Sequence, residues 1–462
     1  MKRLAVVLIA ALAAGCTAGR DYTRPPIALP DAYRGPLPAA PAATASIADE
    51  PWWTLFEDEQ LQALIRTALQ QNFDLRIAAA RILETEAQLG IIRADQYPSA
   101  TAGASIVDQK TPSAAIGFPT RSVGALVVQG SAAWQLDFWG RYRRATEAAR
   151  AQLLATEWGR RAVVATLVSE VADAYFALRA LDLQLDVAVR TLESRRESLR
   201  LTQIREQGGA TSLVDVRQAE QLVYSAAAQI TSLERQIQEQ ENFIRSLLGE
   251  FPAPVSRGRA LTEQPHAAEV PAGLPSQLLE RRPDIQRAEQ EMVAANAQIG
   301  VAKAAYFPQI SLTGSGGFES VALTALFAGS NAFWTLAAGA VQPVFTAGRL
   351  RSQVELAEAR RQEAELAYGQ TVQQAFREVS DALNGYRKRR EFREQQELLL
   401  VSAQDARRLA DIRYQGGATS YLEVLDADTR LFIAQLGLAD AQLAELTEMV
   451  EIYRALGGGW QP

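Results

Sequence analysis

The sequence predicts a mainly α-helical chain with a smaller β part, the whole written twice. Three observations predict it. An internal repeat recurs at an offset near 210 residues. Proline is absent from Thr120 to Phe251 and again from Val344 to Gln461, which leaves room for unusually long helices. Ahead of each proline-free helical run, apolar and polar residues alternate with the period of a strand.

Composition narrows the chemistry. With 48% hydrophobic and 22% charged residues, wholesale disorder and collagen-like repetition are excluded. One Cys and one His in 462 residues exclude Cys/His zinc sites, disulfides and His-based triads, so no metal site is expected. The formal charge of −6 becomes −8 once Lys2 and Arg3 are removed, which offers no electrostatic footprint for nucleic acid.

The elements follow in order. Lys2-Arg3, the apolar run from Leu4 to Ala14 and then Gly15-Cys16 form the charged start, apolar middle and small-residue cleavage site of an export signal, residues 1–15. Leu12-Ala13-Ala14-Gly15-Cys16 resembles a bacterial lipobox, with its leucine one place further from Cys16 than usual. The likeness implies a covalent lipid on Cys16, and more than one acyl chain there would anchor the protein durably. Resemblance to sorted lipoproteins, with Thr17 after the cysteine, points to the outer membrane. No later stretch of 18 or more apolar residues occurs, so any membrane-spanning part must be a β-barrel.

Residues 16–56 form an N-terminal segment, Pro-rich from Asp21 to Pro51, and read as loop. The first repeat occupies 57–250 and the second 276–457, separated by a Pro-rich linker at 251–275 and followed by a tail at 458–462. Asn72-Phe73-Asp74-Leu75 through Tyr97-Pro98 match Arg282-Pro283-Asp284-Ile285 through Phe307-Pro308 at an offset of 210. Ile204 to Ser212 match Ile412 to Ser420 at an offset of 208. Each half therefore carries a helix, two strands, a very long helix, a Gly-Gly turn and a returning helix.

In the strands, Gln129, Ser131, Gln135 and Asp137 share one face between Ser122 and Phe138, while Leu126, Val128, Trp134, Leu136 and Phe138 share the other. After Pro308, Gln309, Ser311, Thr313 and Ser315 oppose Ile310, Leu312, Gly314 and Phe318. Membrane barrels and half-buried soluble sheets both produce this alternation. The fourth strand, around Asn331 to Phe345, alternates poorly, and Pro343 marks its end or a bulge. Four strands cannot close a barrel, and an open edge cannot stand in lipid, so several chains must share one. Two chains would give eight strands with a filled interior, and three would give twelve with a lumen.

The long helix is expected from about Arg141 to Gln207, roughly 100 Å at 1.5 Å per residue. Leu167, Val171, Ala174, Leu178, Leu181, Leu185, Ala188 and Leu192 alternate spacings of four and three, the seam of a coiled coil, which Arg195 interrupts before Leu199. Leu213, Val216, Val223, Ala227, Ile230 and Ile237 give the returning helix a similar stripe. At the turns, Gly208, Gly209, Gly416 and Gly417 are expected to permit positive φ at a tight reversal. Thr211, Ser212, Thr419 and Ser420 are expected to cap the helices that follow.

The ordered set of these features resembles the outer-membrane efflux proteins, the TolC-like exit ducts, and especially their lipid-anchored NodT-type branch. Asp21-Tyr22-Thr23-Arg24-Pro25-Pro26, Trp52-Trp53-Thr54-Leu55-Phe56, Phe138-Trp139-Gly140-Arg141 with Ala347-Gly348-Arg349, both Gly-Gly turns and the ending Ala455-Leu456-Gly457-Gly458-Gly459-Trp460 carry the likeness over the mature chain. It implies a homotrimer whose twelve-stranded barrel in the outer membrane continues into a coiled-coil α-barrel of twelve helices in the periplasm. It further implies docking to a periplasmic adaptor and an inner-membrane transporter, with the two Pro-rich segments wrapping the tunnel as an equatorial belt. His266 lies in that belt as an exposed loop residue.

The same likeness implies adaptor contacts at the two turns and an acidic ring at the mouth. Glu423 and Asp426 stand one helical turn apart beyond the second Gly-Gly pair, where relatives carry acids that narrow the tunnel. Three copies would bring six carboxylates together, attracting cations. Asp215 matches a first-half position used in gate contacts in some relatives. Thr419 stands where some relatives have Arg and others Asp, so no basic partner is evident from the sequence. The resemblance implies no cofactor and no enzyme activity, and a passive duct exporting small molecules such as drugs. Protein secretion through the same architecture and a non-conducting envelope coiled coil are the alternatives.

Overall fold

The computed structural model describes residues 17–30, 33–34, 46–111, 121–265, 270–273 and 275–460. The export signal, Cys16 and His266 lie outside the described residues. The order is α1 (Glu59–Gln71), α2 (Phe73–Ala94), β1 (Ser99–Thr111), β2 (Arg121–Leu136), α3 (Arg141–Gln207) and α4 (Leu213–Leu248), then α5 (Pro283–Ala304), β3 (Gln309–Ser320), β4 (Ala332–Val341), α6 (Arg349–Gln415) and α7 (Tyr421–Ala455), with single helical turns between. Helix, two strands, long helix and returning helix recur as the repeat requires, and α3 has the expected bounds. The chain forms two compact units.

The first unit comprises Met1–Pro26, Arg81–Glu157 and Arg287–Gly369 and holds the sheet, an antiparallel meander in the order β1-β2-β3-β4. Its register keeps residue types in rows across the strands. Thr101, Ser131, Ser315 and Thr335 are mutual partners across all four strands, with Thr101 and Ser131 hydroxyls 2.8 Å apart. On the opposite pleat Trp134 pairs with Leu312 and Leu136 with Ile310. Trp334 and Leu336 on that face are 81% and 76% exposed, so β4 presents large apolar side chains to the outside. Asp137 and Phe138 fall beyond β2, and β4 ends at Val341 before Pro343, which lacks the N–H that a longer ladder needs. At Gly317 a Cβ would collide with the Val128 carbonyl on β2, so this pairing requires glycine.

The N-terminal stretch is fixed on the same unit. Arg24 forks onto Glu289 at 2.7 and 2.6 Å, and Tyr22 donates to the same carboxylate at 3.1 Å. Arg144, 5% exposed, pairs with Asp21 at 2.7 Å. Trp139 stacks on Phe307 with ring centroids 4.8 Å apart and donates to the Pro308 carbonyl at 2.8 Å. The ring stacking supplies the apolar part of this joint.

The second unit comprises Ile27–Ala80, Trp158–Gln286 and Gln370–Pro462. Its core is the expected seam: Leu167, Val171, Ala174, Leu178 and Ala188 are each 4% exposed or less. Val187, Ala188, Leu233 and Phe432 form one cluster joining α3, α4 and α7. In the returning helix the buried positions are Val216, Ala219, Val223, Ala226, Leu233, Ile237, Ile244 and Leu248; Ala227 and Ile230 of the expected stripe are half-buried, and Leu213 is exposed because it begins the helix at the open turn. Repeat symmetry extends to caps: Asn72 donates to the Leu247 carbonyl at the end of α4, and Arg282 donates to the Ala455 carbonyl at the end of α7.

The Pro-rich linker is anchored by Asp58, 1% exposed. Its carboxylate caps α1 through the Gln60 and Leu61 amides and accepts from Tyr175 Oη at 2.9 Å, the Arg259 amide at 2.8 Å and Gln264 Nε2 at 3.0 Å. Burial alone would raise this carboxyl, but the hydrogen bonds outweigh it and hold it below the usual carboxylate range.

Candidate functional site at the two helical turns

Both long helices end in the same hydrogen-bonded turn. In the first, Gly208 N–H donates to Ile204, Gly209 to Glu206 and Ala210 to Arg205. In the second, Gly416 donates to Ile412, Gly417 to Tyr414 and Ala418 to Arg413. The amide reaching back five residues satisfies a carbonyl that the helix end would otherwise orphan. Only the second glycine of each pair is left-handed, Gly209 at φ 70° and Gly417 at φ 72°. Gly208 and Gly416 lack positive φ, contrary to expectation, because each still makes the helical bond four residues back.

The caps differ from expectation too. Ser212 caps α4 in a reciprocal box: its hydroxyl accepts from the Asp215 amide at 3.3 Å, and Asp215 Oδ2 accepts from the Ser212 amide at 3.0 Å. Thr211 donates to that same Oδ2 at 2.5 Å. These bonds outweigh burial, which acts upward, and keep the Asp215 carboxyl low. Ser420 occupies the equivalent place before α7, yet its side chain makes no capping bond. Thr419 instead donates to Glu423, the counterpart of Asp215 at the 208-residue offset.

Glu423 and Asp426 lie on the exposed side of α7, with side chains 43% and 60% exposed. Each has a cation in its own chain. Arg413 Nε is 3.3 Å from Glu423, and Arg430 Nε is 2.7 Å from Asp426. The structure does not join Asp215 to either acid; its Oδ2 serves the first turn. Sequence reasoning missed both arginines. Arg413 was within reach, because it stands in the repeated run beside the turn; Arg430 follows Asp426 by four residues, an ordinary helical pair. Arg205, the counterpart of Arg413, lies 4.8 Å over the ring of Tyr414, which packs on Tyr421 at 5.1 Å. Basic, aromatic and acidic groups therefore stand together beside the second turn.

The arrangement fits contact and charge selection. Among the described residues no group of three His, Cys, Asp or Glu side chains could hold a metal, and no helix is long and apolar enough to cross a membrane.

The profile of the outer membrane efflux protein family matches residues 64–250 and 274–458. The toluene efflux pump outer membrane protein TtgC of Pseudomonas putida is 36% identical over 465 residues, spanning 99% of this chain and 95% of its own. The cation efflux system protein CusC of Escherichia coli is 35% identical over 450 residues, spanning 97% and 96%. The crystal structure of the open state of the Neisseria gonorrhoeae MtrE outer membrane channel superposes with a TM-score of 0.86 at 30% identity, covering 96% of this chain and 99% of that one.

Proposed function

The chain belongs to the outer membrane efflux protein family, and from that premise we infer that it is the outer-membrane exit duct of a tripartite efflux pump. It works as a homotrimer, four strands from each copy making a twelve-stranded barrel in the outer membrane, with the long helices extending into the periplasm. A periplasmic adaptor and an inner-membrane transporter complete the pump. The observation that carries this reading is the four-stranded sheet with exposed apolar side chains on one pleat, joined in one chain to two copies of a long helical hairpin.

The finer assignments rest on the chain's own residues. The repeats are 57–250 and 276–457, with 16–56 and 251–275 forming a belt. The turns at Gly208, Gly209, Thr211 and Ser212 and at Gly416, Gly417, Thr419 and Ser420 are the adaptor-docking tips. Glu423 and Asp426 ring the mouth, each balanced by its arginine, and Asp215 shapes the first tip. Cys16 carries the lipid, which the lipobox-like run supports. The duct performs no chemistry of its own; the transporter supplies the energy. Its cargo is small molecules, drugs among them, a class to which the toluene and cation named for TtgC and CusC are akin.

Deletion of the gene tests the reading. Cells without the chain should accumulate a fluorescent pump substrate, and re-expression should restore its exit. Unchanged retention in a strain whose other exit ducts are also deleted would refute the efflux role. Mass spectrometry of the mature N-terminus tests the lipid, which Cys16→Ala should abolish.

A further inference from the structure

The two pleats of the sheet carry different chemistry. One holds Trp134, Leu312, Trp334 and Leu336, and the other holds the hydroxyl row of Thr101, Ser131, Ser315 and Thr335. In a barrel that turns its apolar pleat to lipid, the hydroxyl row lines the lumen. Between the row of Ser99 and Ala133 and the row of Ser105 and Val127, this second pleat consists of serine, threonine, glutamine and small or apolar residues with a single ionisable exception, Glu319. Glu319 pairs with Val127, whose partner on β1 is Ser105. Standing four residues beyond Ser315, it shares that face. It is exposed, and among the described residues it has no hydrogen bond or ion pair.

Its place along the strand fixes its depth. α2 and α5 lead into β1 and β3, and α3 and α6 follow β2 and β4, so the helices meet the sheet at one end. Glu319 lies ten residues beyond Gln309, about 34 Å along a strand that rises about 3.4 Å per residue and about 26 Å in height at a tilt of about 40°. The apolar band of a membrane barrel is about 25 Å tall. Glu319 therefore stands near its outer edge, at the end away from the helices. Its charge also differs in kind from those at the second turn. Glu423 and Asp426 each face an arginine of their own chain, so those pairs carry little net charge. Glu319 has no such cation, and its negative charge is uncompensated on a pleat otherwise neutral over these rows.

We propose that Glu319 sets ion preference at the outer end of the duct, one carboxylate from each copy forming a ring separate from the acids at the periplasmic mouth. The proposal rests on the exit-duct reading and adds a specificity-determining residue to it. Cations entering or leaving the barrel are favoured over anions by the field of these carboxylates, and the hydroxyl row beyond them adds no charge of its own.

Planar-bilayer recording of the full-length trimer tests it, with wild type, Glu319→Gln, Glu319→Cys and Ser320→Cys. Glu319→Gln should lower the ratio of cation to anion permeability about twofold at about 0.1 M salt and far less at about 1 M, where the screening length falls to about 3 Å. On Glu319→Cys a positively charged methanethiosulfonate reagent should lower the ratio further, one step for each copy in a single trimer, and a negatively charged reagent should restore it. Ser320→Cys, which belongs to the opposite pleat, and wild type given the same reagents should not respond. Wild-type selectivity in Glu319→Gln, or a response of Ser320→Cys equal to that of Glu319→Cys, would overturn the ring. Should Glu319→Cys fail to assemble, Glu319→Gln decides by the same ratio. Absence of any step from assembled wild type would instead overturn the duct reading, and the ring with it.

Discussion

Asp215 and Glu423 hold the same place in the two hairpin turns, each accepting a hydroxyl hydrogen bond from the threonine four positions earlier. They differ in the rest of their environment. Asp215 is bound into the Ser212 cap, whereas Glu423 faces Arg413. One acid is committed to structure, and the other keeps a charge shared with a cation.

Asp215→Ala should therefore destabilise the first turn by about 1 kcal/mol through loss of the reciprocal cap. Limited proteolysis at the turn should quicken, with the conductance pathway retained.

If the acids at the second turn ring the mouth as proposed, the exposed pairs there should set ion preference. Asp426→Asn should reduce cation selectivity by exposing Arg430, while Arg430→Gln should increase it by freeing Asp426. Reversal potentials in a salt gradient measure both, and opposite signs are expected. Glu423→Gln should act in the direction of Asp426→Asn but more weakly, since Thr419 already engages that carboxylate.

Asp58 ties the linker to α1 and α3. Its folded pKa lies below the unfolded value of about 3.9, so its stabilisation is present above about pH 4 and is lost as pH falls through the folded value. Asp58→Ala should cost about 3 kcal/mol at pH 7, because it leaves the Arg259 amide and two side-chain donors without their acceptor. The difference from wild type should shrink towards pH 3 in thermal denaturation.

Asp173 has the opposite sign. Burial, then the charge of Glu451, pushes its carboxyl up to about 7, and its buried Oδ1 has no hydrogen-bond partner. The folded state holds this proton more tightly than the unfolded chain, so stability is fully present below about pH 4 and declines as pH rises towards 7. Asp173→Asn should raise the melting temperature at pH 8 and leave it nearly unchanged at pH 4.

Local signals in the sequence were sufficient for much of this architecture. Proline-free length and the seam from Leu167 to Leu192 located α3, and Pro343 marked the end of β4, because each depends on residues close in the chain. The glycine pairs located the turns, though not which glycine is left-handed, since that depends on where the helical bonds stop. Ser212 and Ser420 are the same letter in the same motif, yet only one caps. The pairing of Arg195 with Asp428 was hidden because the two stand 233 residues apart; a charge in a seam shows an interruption but not its partner. Arg430, by contrast, was within local reach and needed only the four-residue spacing.

The central claim is that three copies of this chain form a conducting duct, and single-channel recording of the purified, crosslink-verified trimer in planar bilayers tests it most directly. Discrete, cation-preferring steps whose selectivity falls in Glu423→Ala/Asp426→Ala are predicted. A folded trimer that gives no steps in either form would contradict the duct and favour a non-conducting envelope coiled coil.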